Sequence, residues 1–156
     1  MSRSARVVVV STRAAGGQYA DRTGPVIRAW LQERGFETPE PMVVADADVA
    51  GALPRVLAEH PDVLLTTGGT GASPDDRTPE ATLALLDAEL PGLAEELRRR
   101  GAATTPTALL SRGRAGVTGR TVVMNLPGST GGVRDGLEVL DGVLDHLLDQ
   151  LAGGDH

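Results

Sequence analysis

The sequence predicts an α/β fold: a three-layer α/β/α sandwich around a mostly parallel sheet with one antiparallel hairpin. Three observations carry this. Val7-Val8-Val9-Val10 and Val63-Leu64-Leu65 are continuous apolar runs, and a strand apolar on both faces belongs inside a sheet covered on both sides. Two strand segments run through glycine into helix starts, at Gly68-Gly69-Thr70-Gly71 and at Pro127-Gly128-Ser129. Thr118-Gly119 separates two β-rich runs between Ala115 and Leu126, which reads as a hairpin.

The elements follow in order. A first strand covers Arg6 to Ser11 and opens into a flexible loop, Thr12 to Gly17. A helix from about Thr23 to Arg34 has Pro25 in its first turn and stops at Gly35, with Ile27, Trp30 and Leu31 on its apolar face. A second strand ends at Met42-Val43-Val44. Asp48 is placed to cap a helix from about Val49 to His60, which Pro54 should kink. After the central strand, Thr78 is the expected cap of a helix beginning at Pro79 and reaching Leu90. Pro91-Gly92 breaks it, and a second helix continues to Arg100. Gly101 to Arg112 is irregular, and the hairpin follows. Ser129 or Thr130 caps a last helix from about Gly131 to Leu151, whose stripe is Val133, Leu137, Leu140, Leu144, Leu147, Leu148 and Leu151. Gly153 to His156 is a tail.

Composition bounds the chemistry. The 156 residues suit one domain, 1–156. A net charge of −6 argues against a nucleic-acid surface, which needs a concentrated basic patch. There is no cysteine, which removes disulfides, thiolate metal sites and thiol nucleophiles. There is no lysine either, so Schiff-base chemistry is excluded and any side-chain cation on a phosphate must be arginine. No apolar run reaches membrane-spanning length and no secretory signal is visible, so a cytoplasmic protein is expected.

The stretch from Val63 to Glu80 dominates the functional reading. A glycine loop after a strand lets backbone N–H groups approach an anion. Asp75 and Asp76 stand beside it, and carboxylates next to an anion site make sense with a divalent cation between them and a phosphate. A plain strand-to-helix turn with solvated aspartates is the competing reading. The loop lacks the Walker A pattern and the dinucleotide Gly-x-Gly-x-x-Gly spacing. Ser111-Arg112-Gly113 offers a hydroxyl and a guanidinium, or is an ordinary turn. Gly128-Ser129 begins a second anion site at a helix N-terminus.

Thr66-Thr67-Gly68-Gly69-Thr70-Gly71 followed by Asp76-Arg77-Thr78-Pro79-Glu80-Ala81-Thr82 resembles the MogA/MoaB family of molybdenum-cofactor biosynthesis, the molybdopterin adenylyltransferases. Pro91 to Arg98, Pro106 to Arg112 and Asn125-Leu126-Pro127-Gly128-Ser129 extend the likeness over nearly the whole chain. It departs from the family in Thr12, in Ala45 before Asp46, and in Thr130-Gly131 where the family has Pro-Lys.

The resemblance implies the molybdenum-cofactor-biosynthesis-like fold and transfer of AMP from ATP to the molybdopterin phosphate, with Mg²⁺ and release of pyrophosphate. It assigns Asp46 and Asp76 as catalytic, Mg²⁺-organising carboxylates, with orientation of the attacking phosphate as the alternative role for Asp76. It assigns Gly68, Gly69, Thr70, Gly71, Thr78, Glu95, Ser111, Arg112, Gly128 and Ser129 to substrate. Backbone N–H groups of Gly131 and Gly132 are expected to do part of the missing lysine's work, with Arg134 adding charge. A homotrimer, with a hexamer as the larger form, and the molybdate-inserting enzyme of the same pathway are the implied partners. The alternative is a non-catalytic molybdopterin-binding scaffold of the MoaB type.

Overall fold

The computed structural model describes residues 2–154; the last two residues of the expected tail lie outside it. The elements are β1 (Arg3–Val10), α1 (Thr12–Ala15), α2 (Thr23–Glu33), β2 (Phe36–Glu37), β3 (Met42–Val44), α3 (Val49–Leu57), β4 (Val63–Thr67), α4 (Thr78–Leu83), β5 (Ala88–Glu89), α5 (Pro91–Ala102), β6 (Ala115–Thr118), β7 (Thr121–Leu126), α6 (Thr130–Asp141) and α7 (Leu144–Leu151). Short 3-10 turns cover Asp46–Asp48 and Pro106–Leu110.

The strands form one seven-stranded sheet in the order β2-β1-β4-β7-β6-β5, with β3 also on β1. β1, β4 and β7 are its parallel centre, in the registers Val7↔Leu65 and Leu65↔Met124. β6 is antiparallel to both of its neighbours. Its tight connection to β7 passes through Gly119 at φ +56°. β2 and β3 divide one edge between them, β2 pairing at Arg3 and Ser4 and β3 at Val8 to Val10. Pro39 and Pro41 fall between these two strands, where a residue lacking an N–H ends a ladder.

The apolar strands have two buried faces because helices cover both. Val7, Leu65, Met124 and Leu126 pack with Ile27, Leu31, Leu97, Val133, Leu137, Leu144 and Leu148, from α2, α5, α6 and α7. Val8, Val10, Leu64 and Val123 pack with Val49, Leu53 and Val56 of α3 and with Ala81 of α4. The alternation follows the two-residue period of a strand. Trp30 packs against the first of these clusters, with the Arg34 guanidinium 3.9 Å from its ring centre. Among the described residues no helix is long and apolar enough to cross a membrane.

Several local expectations are corrected. The loop after β1 opens with a single helical turn, capped by Ser11 Oγ accepting from Ala14 N at 3.2 Å. Asp48 precedes α3 without capping it. Thr78 is the first residue of α4 rather than its cap. The helix expected to reach Leu90 ends at Leu83, and β5 occupies its last stretch, paired with Val117 and Gly116. The last helix is two helices, broken at Gly142-Val143, yet its apolar stripe is kept: Val133, Leu137, Leu140, Leu144 and Leu148 are buried.

Candidate functional site

The C-terminal ends of β1, β4 and β7 meet at one edge of the sheet, where open α/β sheets hold ligands. Two clefts flank that edge. Cleft one, about 740 Å³, lies over the ends of β1 and β4 and is lined by Arg13, Arg22, Asp21, Asp46, Gly68, Gly69, Asp75, Asp76 and Gly128. Cleft two, about 670 Å³, is lined by Thr70, Gly71, Leu97, Leu110, Ser111, Asn125, Gly131 and Gly132. Ser129 borders both.

The glycine loop is the ridge between them. Gly68 has φ +92° and Gly69 φ +66°, a region in which side chains are strained. Space forbids side chains there as well. A Cβ on Gly68 would strike the Val10 carbonyl oxygen, and one on Gly69 would strike Thr78 Oγ1 and lie 3.2 Å from Asp46 Oδ1. Thr78 is fully buried beneath the loop, where its N–H donates to Gly69 O at 3.2 Å and its hydroxyl has no partner.

Three of the four carboxylates are held. Thr12 Oγ1 donates to Asp46 Oδ2 at 2.7 Å, and Asp46 N donates back to Thr12 Oγ1 at 3.1 Å. Asp76 Oδ2 accepts from Ser73 N at 3.1 Å. Asp21 Oδ1 accepts from Thr23 N and Gly24 N, at the start of α2. Four carboxylates and two guanidinium groups line cleft one, and among the described residues neither Arg13 nor Arg22 forms an ion pair. A polyanion enters such a cleft readily only with a divalent cation.

The floor of cleft two is a satisfied polar network. Asn125 Nδ2 donates to Thr66 Oγ1 at 3.0 Å and to Thr82 Oγ1 at 2.9 Å, and its Oδ1 accepts from Arg114 N. The walls are apolar at Ala94, Leu97 and Leu110. Polar groups converging in an apolar cleft suit a heterocycle with a polar edge.

The expected residues divide. Asp46, Asp76, Gly68, Gly69, Gly128 and Ser129 line cleft one; Thr70, Gly71, Ser111 and Ser129 line cleft two. Thr78 lies under the loop. Glu95 and Arg112 line neither cleft: both border a smaller hollow of about 400 Å³, and Glu95 is exposed. Arg134 is exposed and lines neither cleft. Gly132 N is taken by Ser129 Oγ at 3.1 Å. The sequence pattern did not single out Arg22 or Asp21 as site residues. Their signal is position alone, in the segment between the first glycines and α2.

The Arg112 guanidinium holds Glu80 below the ordinary carboxylate value of 4.5, chiefly by its hydrogen bond. On α5, Arg99 and then Arg100 bring Glu96 down to about 2 through hydrogen bonds.

Residues 6–146 match the model of a family described as "Probable molybdopterin binding domain". The chain is 39% identical over 154 residues to a molybdenum cofactor biosynthesis bifunctional protein of Synechococcus elongatus, which covers 97% of this chain and 48% of that protein. The chain thus spans about half the length of that relative. It is 35% identical to a molybdopterin adenylyltransferase of Escherichia coli, over 89% of this chain and 72% of that one. It superposes on the molybdopterin biosynthesis Mog protein of Mycobacterium ulcerans with a TM-score of 0.91 at 53% identity, covering 96% and 99% of the two chains.

Proposed function

Because this chain belongs to the probable molybdopterin binding domain family, we propose that it is a molybdopterin adenylyltransferase, joining the AMP of ATP to the terminal phosphate of molybdopterin with release of pyrophosphate. The observation that carries the proposal is the pair of clefts meeting at the glycine ridge, one acidic and one apolar with a polar floor. Two substrates must be brought together, and each cleft suits one of them.

Cleft one takes the polyphosphate of ATP. The backbone N–H of Gly69 reaches the phosphates without side-chain obstruction, the Gly68 N–H being taken by Leu126 O at 3.0 Å, and Arg13 and Arg22 donate to phosphate oxygens from the wall. Asp46 and Asp76 would hold Mg²⁺, and the donor set fits. Among the described residues no group of three or more His, Cys, Asp or Glu is placed to hold a metal alone, but Mg²⁺ is commonly held by one or two carboxylates together with substrate phosphates. Bound there, the ion supplies neutralisation of phosphate charge. Cleft two takes the pterin, its ring against Leu97 and Leu110 and its polar edge toward Ser111.

The chemistry is positioning. An oxygen of the pterin phosphate attacks the α-phosphorus of ATP, a P–O bond forms, and the bond to the β-phosphate oxygen breaks as pyrophosphate leaves. No side-chain nucleophile is required. Thr12 keeps Asp46 turned into the cleft, and Ser73 N does the same for Asp76.

The test is turnover of purified protein with molybdopterin, ATP and Mg²⁺, following pyrophosphate and adenylylated pterin. Wild type should form both. Asp76→Asn should keep its melting temperature and lose about 100-fold or more in turnover, the scale of a lost electrostatic group. Pterin binding with ATP left intact in wild type would overturn adenylyl transfer.

A further inference from the structure

Arg112 lines neither substrate cleft, and its side chain is committed elsewhere. Nε donates to Gly71 O at 2.8 Å, Nη2 donates to Asp76 O at 2.9 Å, and Nη1 pairs with Glu80 Oε2. The Arg112 backbone N–H adds a fourth tie, to Thr70 O at 2.8 Å. One residue therefore grips the glycine loop at two positions, the carbonyl of Asp76, and the first turn of α4.

Arg112 is itself anchored. Arg98 of α5 donates from Nη1 to Ser111 O at 3.2 Å and to Gly113 O at 3.1 Å. The carbonyls on either side of Arg112 are thus pinned to a helix packed in the core through Leu97. The path runs from α5 through the Ser111–Gly113 turn to the loop and Asp76. Charge-assisted bonds to carbonyls are stronger and shorter than neutral ones, and a planar fork fixes direction as well as distance.

We infer that Arg112 is a positioning residue, which acts on the reaction by fixing the glycine loop and the backbone of Asp76 and not by touching either substrate. This rests on the proposed adenylyl transfer for its kinetic consequence, but not for its structural one. The Arg112 side chain is 39% exposed, so water can replace it at the carbonyls. Removing it should leave the fold and unfix the loop.

The test compares wild type, Arg112→Ala and Arg112→Lys by two readouts, after circular dichroism has shown all three folded. The first is trypsin cleavage after Arg77, an exposed residue next to Asp76, followed by mass spectrometry. A loosened loop should be cut about 10-fold faster or more in Arg112→Ala. The second is steady-state kinetics. We expect kcat to fall about 30- to 100-fold, the cost of a misplaced group, with KM for ATP and for the pterin within about threefold. Lysine should not restore kcat, since one ammonium cannot reproduce a three-pronged fork.

Raised KM with unchanged kcat and unchanged cleavage would make Arg112 a substrate contact and overturn the inference. So would full turnover in Arg112→Lys. A wild type that does not transfer AMP would fault the proposed function instead. The cleavage comparison then decides alone, and equal rates overturn the inference.

Discussion

The helix start after β7 is capped by its own residues, although Thr67 Oγ1 of β4 also donates to Pro127 O at 2.7 Å. Ser129 Oγ accepts from Gly132 N three positions on, and Val133 N donates to Ser129 O at 2.9 Å. The junction after β4 has no such cap on α4. It is held by Arg112, which is 36 residues beyond Asp76 and 41 beyond Gly71 in the chain, and by the buried Thr78 beneath it. Both junctions run from a parallel strand through glycine into a helix. The local one can be perturbed residue by residue. The distant one answers to changes made far away in sequence, and it is the one that carries Asp76. The loop that carries Asp76 thus depends on tertiary contacts, while the helix start after β7 is set mainly by its own cap.

The largest expected break in this contrast is Gly69→Ala. Its φ of +66° and the contact with Thr78 Oγ1 both oppose a side chain, so a loss of about 1–3 kcal/mol is expected from backbone strain. Thermal melting should show it, together with lost turnover, because Asp46 Oδ1 is displaced as well. A melting temperature equal to wild type would mean that the β4 junction is far more compliant than its geometry implies. Ser129→Ala comes next. It removes one cap and should cost about 1 kcal/mol, read as a lower denaturation midpoint at unchanged slope. A loss several times larger would show that Ser129 supports more than the start of α6.

The smallest effect is Glu80→Gln. Arg112 depresses the Glu80 carboxyl in the folded chain, so the ion pair adds stability above the ordinary carboxylate value and loses it as the pH falls through the depressed one. The pair is largely exposed, so about 0.5 kcal/mol or less is expected at neutral pH. Denaturation midpoints of wild type and Glu80→Gln should differ slightly at pH 7 and converge in acid. A gap that widens in acid would reverse the sign and refute the pairing.

What the sequence made legible was local. The apolar runs of β1 and β4 identify buried strands by composition. Gly68, Gly69, Gly128 and Ser129 mark both junctions, and of the two expected caps, Ser129 and Thr130, Ser129 is the one that caps. The stripe from Val133 to Leu148 survives a helix break because the break falls between apolar positions. Long-range placement was not legible. The family resemblance assigns Arg112 to substrate, and nothing within several residues reveals the carbonyls it holds. Thr12 departs from the family pattern, and only the fold brings it to Asp46. β5 is two residues long, too short for any periodicity. Thr78 carries a capping signature, yet burial under Gly69 turns its hydroxyl inward.

The divided edge of the sheet has a consequence for how the chain behaves in a crowded solution. On one side, β2 and β3 offer two and three residues, with prolines between them; on the other, β5 offers two. An approaching strand from another molecule finds no long row of open backbone donors and acceptors to zip onto. Short, interrupted borders of this kind are how β-rich proteins resist fibrillar stacking. A sheet whose middle is made of valine and leucine runs is guarded at its margins by brevity and proline.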